Sequence, residues 1–175
     1  TDSDREEMLQ KYQKELLSAV GTARSAYAEM QKIQEDFISQ TIEKIEEVNS
    51  GYERILEKSQ TMIEKSKELY GNSSFGQISA IYETQEKTLE SQLAHLESSQ
   101  LALLRYRDTL DKNSQAWKKT NEQIIEIGKS IDSNLVAKID LLKSKFEDFS
   151  NSLFDKFEGL FGVWGFDGAS EDFDK

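Results

Sequence analysis

Leu9, Tyr12, Leu16, Val20, Ala23, Tyr27, Met30, Ile33 and Phe37, and then Ile42, Ile45, Val48, Tyr52, Ile55, Met62 and Leu69, follow one another at steps of three, four or seven residues within each series, with one step of five between Phe37 and Ile42. Such spacing keeps one apolar stripe on one face of a helix. At 1.5 Å per residue it predicts roughly 100 Å of helix facing a shared interior. Ser3, with Glu6 three residues later, has the form of a capping box. The helix is expected to stop in "YGNSSFG", residues 70–76, where a glycine and a polar run supply a C-cap and a turn.

A second pattern follows. Tyr82, Leu89, Leu96, Leu103, Leu110, Trp117, Ile124 and Ile131 recur at seven-residue spacing, a heptad line of eight members. Its companion seam position is polar, held in turn by Gln85, Gln92, Ser99 or Gln100, Arg107, Ser114, Asn121 and Gly128, and becomes apolar only at Leu135 and Leu142. The pattern predicts an all-α chain, either an elongated antiparallel helical hairpin or a three- or four-helix bundle with a coiled-coil-like heptad seam. "NSG" (49–51) and "DKNSQ" (111–115) are candidate bends, since Asn, Asp, Ser and Gly are poor in helix interiors. The unbroken phase from Leu110 to Trp117 favours continuity through the second. Residues 1–161 are read as one elongated helical domain and 162–175 as a flexible aromatic-acidic tail.

Composition agrees with narrow seams rather than a thick core: 37% hydrophobic, 31% charged and no proline. The net charge of −11 argues against a nucleic-acid partner, since phosphate binding rests on Lys and Arg, and against electrostatic adhesion to anionic lipid. The heptad leucines superficially resemble a leucine zipper, but the segment before them, "SAIYETQEKTLE", is acidic. Without cysteine there is no disulfide, thiolate zinc site or thiol nucleophile. No run approaches the roughly 18 apolar residues that span a bilayer. The chain opens on Thr1 rather than Met, so a processed or excised chain is expected, with a cytoplasmic and a secreted setting both open.

Candidate chemistry is sparse. His95 is the one histidine, and a di-iron bundle needs two Glu-x-x-His pairs. It is read as a surface or seam-flanking residue. Glu6-Glu7 and Glu46-Glu47 fall on outward arcs, where charge is usually solvated. The terminal "DGASEDFDK" lacks calcium-loop spacing. Asn72-Ser73-Ser74 is a formal glycosylation sequon. No catalytic residue, metal site, cofactor or small-molecule substrate is assigned.

One concentration stands out. "KFEDFSNSLFDKFEGLFGVWGFDG", residues 145–168, holds six of the nine phenylalanines and one of the two tryptophans. Phe146, Phe149, Leu153, Phe154, Phe157, Leu160, Phe161 and Trp164 fall within an arc of about 140°, with Glu147, Asp148, Asp155 and Glu158 opposite. With Phe166, these are the candidate docking residues for a protein partner or a membrane. Phe157 precedes the series Gly159, Gly162, Gly165 and Gly168 and is expected to be held against the bundle or a partner helix. Trp164, among the glycines, is expected to be free to bind.

The bland alternative is that the aromatics close one end of the bundle. The functional reading carried forward is a structural or adaptor bundle that binds a protein or itself. The alternative is a secreted membrane-active protein, pore-forming or lipid-coating, whose aromatic segment contacts lipid.

Overall fold

In a computed structural model the protein is all-α. It comprises α1 (Asp2–Tyr70), a 3-10 turn (Gly71–Ser74), α2 (Phe75–Arg107) and α3 (Gln115–Val163). The structure describes residues 1–163, with the backbone alone for 161–163. The chain divides into two compact units: residues 1–44 with 102–125, and residues 45–101 with the remainder of α3.

In the second unit α2 runs antiparallel to both neighbours. Gln85 meets Gln60 and Gln92 meets Asn49 on α1, while Glu90 and Glu86 meet Lys138 and Lys145 on α3. Ile63, Ile78, Tyr82, Leu89 and Leu141 form its buried cluster, with Leu56, Phe75, Ile81 and Ala137 packed against it. The tip forms where the glycine predicts it. Gly71 takes the left-handed conformation at φ +58°, which a side chain would resist, and the Ser73 hydroxyl donates to the Tyr70 carbonyl at 2.5 Å.

The heptad line faces inward, as its spacing predicts. Tyr82, Leu89, Leu96, Leu103, Leu110 and Ile124 are buried, and Trp117 and Ile131 half-buried. Of the polar companion positions, Gln85, Gln92 and Ser114 are buried and Arg107 and Asn121 half-buried, and they find polar partners there. The Gln92 amide donates to Asn49 Oδ1 at 2.9 Å, and Asn134 Nδ2 donates to Gln92 Oε1 at 2.8 Å and to the Leu89 carbonyl at 3.0 Å. Elsewhere Arg107 donates to Asn121 Oδ1 at 2.7 Å and stacks 5.6 Å from the centroid of the Trp117 ring.

Three local readings change. α1 passes through 49–51 unbroken, because Asn49 has side-chain partners in Gln92 and Glu53 that replace its pull on the backbone. The helix does break between Arg107 and Gln115. Asp111 Oδ1 accepts the Asn113 N–H at 2.9 Å, and Ser114 Oγ accepts the Trp117 N–H at 3.1 Å, which makes Ser114 the N-cap of α3. Heptad phase could not reveal this reversal, since Leu110 and Trp117 face the same core from either side of it. At the N-terminus the helix begins at Asp2, before Ser3, and the Thr1 hydroxyl donates to Asp4 Oδ2 at 2.6 Å.

Candidate docking surface

Approaching its C-terminal turns, α3 is clamped to the tip. Asp148 forms an ion pair with Lys67 at 2.7 Å and accepts a hydrogen bond from the Tyr82 hydroxyl. Burial, and then that carboxylate, push the Tyr82 hydroxyl well above its ordinary pKa. Phe149 packs on Phe75, with ring centroids 5.5 Å apart, and Ser152 is buried. These are the last side chains of α3 drawn into the unit. α1 has ended at Tyr70 and α2 begins at Phe75, so among the described residues of this unit no helix lies beside the turns beyond.

The consequence is an uncovered aromatic face. Phe154 and Phe157 are 71% and 55% exposed, and Leu153 and Leu160 are exposed with them. Phe146, a turn earlier, is also exposed at the margin of the clamp. Ser150, Leu153, Phe154 and Phe157 border an apolar hollow of about 460 Å³. Of the other candidate residues, Phe161 has a helical backbone, while Trp164 and Phe166 lie outside the described residues. Of the two expectations for Phe157, contact with the bundle of its own chain is not seen among the described residues, which leaves a partner helix as the other. Leaving a side chain of this size in water forgoes about 1.5–3 kcal/mol of burial.

A second apolar face is uncovered in the other unit. There Tyr27 donates from its hydroxyl to Asp111 Oδ2 at 3.2 Å, in the connection between α2 and α3. Phe37 packs on Tyr106 at 4.9 Å between ring centroids, Lys119 Nζ donates to Ser39 Oγ at 2.7 Å, and Ile38 is fully buried. Residues 1–30 are all exposed, among them Met8, Leu9, Tyr12, Leu16, Leu17, Val20 and Met30. The stripe was expected to face a shared interior throughout. It turns inward only in part: Ile45 is buried and Ile42 and Tyr52 half-buried, Phe37, Val48, Ile55, Met62 and Leu69 remain exposed, and residues 1–30 are uncovered because α2 and α3 reverse beside Tyr27.

Other chemistry is structural in form. His95 Nε2 lies 3.3 Å from the Ile45 carbonyl, beside the Tyr52 ring. A cavity of about 400 Å³ between α1 and α3 is walled by Leu56, Tyr82, Leu89 and Leu141, and its Gln60 and Gln85 amides face each other at 3.4 Å. Among the described residues, no group of three His, Cys, Asp or Glu could hold a metal ion, and no helix is long and apolar enough to cross a membrane. The aromatic cluster was legible in the sequence. The exposure of residues 1–30 was not, because periodicity reports which side of a helix is apolar and not whether anything lies against it. No family model, curated protein or solved structure matches the chain.

Proposed function

We propose that the protein is a non-enzymatic helical adaptor whose α3 aromatic face docks a protein partner. The observation that carries this reading is the continuous uncovered face of Leu153, Phe154, Phe157 and Leu160 beyond the Phe75–Phe149 contact. Large exposed apolar patches mark interaction sites, and aromatic anchors supply most of the energy at protein interfaces. The acidic flank of Glu147, Asp155 and Glu158 disfavours anionic membranes as the occupant.

The test compares the full chain with Phe154→Ser/Phe157→Ser in two assays. Immobilised wild type should retain a discrete protein from the cells that make it, and the variant should lose it. Neither should float with phosphatidylcholine vesicles or with vesicles containing phosphatidylglycerol. Flotation of wild type but not the variant would replace the adaptor reading with the lipid-coating one. Equal capture by both would remove this face from the interface.

A further inference from the structure

From the two uncovered faces we infer that the protein self-associates heterologously: the α3 aromatic face of one copy seats on the N-terminal α1 stripe of a second. This rests on the docking reading above and names its partner.

Four observations converge on that pairing. The first is area. Met8, Leu9, Tyr12, Leu16, Leu17, Val20, Tyr27 and Met30 are 41–72% exposed, and Phe146, Phe149, Leu153, Phe154, Phe157 and Leu160 are 39–71% exposed. With fully exposed large side chains at about 150–250 Å² each, the two faces offer on the order of 1,500 Å² together, within the range of stable interfaces.

The second is charge. Residues 8–30 carry Lys11, Lys14 and Arg24 against Glu15 and Glu29, a net of +1 within a chain of −11. Beyond Asp148, which Lys67 neutralises, residues 147–163 carry Glu147, Asp155 and Glu158 against Lys156, a net of −2 flanking the aromatic face. Two α3 segments brought together would oppose −2 with −2, whereas α3 on α1 joins opposite signs.

The third is shape. The α3 face is built of phenylalanine and leucine, while Ala19, Ala23 and Ala26 lie on the stripe's side of α1 along the middle of the stretch. Large knobs thus face a region of small residues, which lets two helices approach closely.

The fourth is repeat. Leu9, Leu16, Ala23 and Met30 are spaced by seven, as are Phe146, Leu153 and Leu160. A shared heptad period is what a two-helix seam requires. The α1 stripe also continues the face that Ile38 buries within its own unit, since Leu9, Leu16, Val20 and Tyr27 lie within about 40° of it at 100° per residue.

Because the contact is heterologous, a copy that gives its α3 face still offers its α1 stripe. The test uses full-length chains and light scattering across about 1–200 μM, a range that captures micromolar affinity. Wild type should gain mass above the monomer as concentration rises. Leu16→Glu and Phe157→Glu alter exposed side chains, so each should keep its helix content and thermal midpoint yet stay monomeric. An equimolar mixture of the two should form a dimer at least tenfold more readily than either alone, since one retains the α3 face and the other the α1 stripe. A wild type that remains monomeric overturns the inference, as does a mixture that does not pair. If Phe157→Glu associates like wild type while Leu16→Glu does not, the stripe pairs with itself and the inference fails. A monomeric wild type whose captured partner is nevertheless lost on Phe154→Ser/Phe157→Ser leaves the docking reading standing without a second copy as its occupant.

Discussion

The polar layer formed by Asn49, Gln92 and Asn134 can be weighed by a double-mutant cycle. Asn134 and Gln92 are 4% and 7% exposed, and Asn134 Oδ1 is buried without a hydrogen-bond partner. Replacing Asn134 with Ala strips Gln92 Oε1 of its donor. Leaving that buried acceptor unmet costs about 1–3 kcal/mol, and relief of the unpaired Oδ1 offsets part of it. The expected loss is about 1–2 kcal/mol. Gln92→Leu gives up its bonds to Asn49 and Asn134, each contributing about 1 kcal/mol. Asn49 is half-buried and can turn to water, Asn134 keeps the Leu89 carbonyl, and the new leucine buries apolar area. That variant should fall within about 1 kcal/mol of wild type. In the Gln92→Leu background Asn134→Ala no longer orphans an acceptor, so the double variant should be more stable than the sum of the singles by about 1–2 kcal/mol. Urea unfolding at matched protein concentration measures all four corners. Additivity within about 0.3 kcal/mol would show that the amide pair contributes nothing beyond its separate members.

Three further outcomes follow from the same contacts. Leu103→Asp places an unpaired carboxylate at a position 2% exposed and should cost about 3–5 kcal/mol, whereas Glu47→Ala on the outer arc should stay within about 0.5 kcal/mol; equal melting temperatures would put the seam elsewhere. The raised Tyr82 pKa means that the folded state holds this proton more tightly than the unfolded chain, so its contribution is complete below about pH 10 and is lost as pH rises beyond. Tyr82→Phe should therefore flatten the decline of thermal stability above about pH 10, and parallel slopes there would refute the assignment. Phe157→Ala should leave the melting temperature of the monomer nearly unchanged, while Leu89→Ala, at a position 3% exposed, should cost about 2–5 kcal/mol; comparable losses would mean that the α3 face is covered.

Legibility differed by kind of signal. Gly71 announced the tip because a left-handed residue is a local requirement. The line from Tyr82 to Ile131 announced its buried face because a seven-residue period is a local property too. The reversal at 108–114 was hidden, since its signals, Asp111 and Ser114, also occur inside helices and Leu110 blurred it by remaining in phase. The companion Gln and Asn residues read as a weakness of the seam. Their value depends on partners 25 to 43 residues away, which no local pattern specifies. The aromatic face was read from its spacing, but whether the bundle or a partner helix holds Phe157 was left open, because amphipathicity cannot distinguish a face turned to the core from one turned to water.

Helix lengths explain why the uncovered faces exist at all. α2 has 33 residues, and a helix paired in register can cover no more than its own length of an antiparallel neighbour. α1 has 69 residues and α3 has 49, so each must leave turns that α2 cannot reach. If those turns served only as extensions, polar residues would keep them soluble at no cost to the bundle, as Glu6, Glu7 and Asp155 do on their outer arcs. Instead the apolar period persists through Leu9, Leu16 and Val20 on one helix and through Leu153, Phe157 and Leu160 on the other. On the proposed reading, apolar residues that keep the seam spacing without a seam to fill are matched to a helix from another molecule. Whether that molecule is a second copy is decided by pairing Leu16→Glu with Phe157→Glu, the one mixture in which each chain carries the face the other has lost.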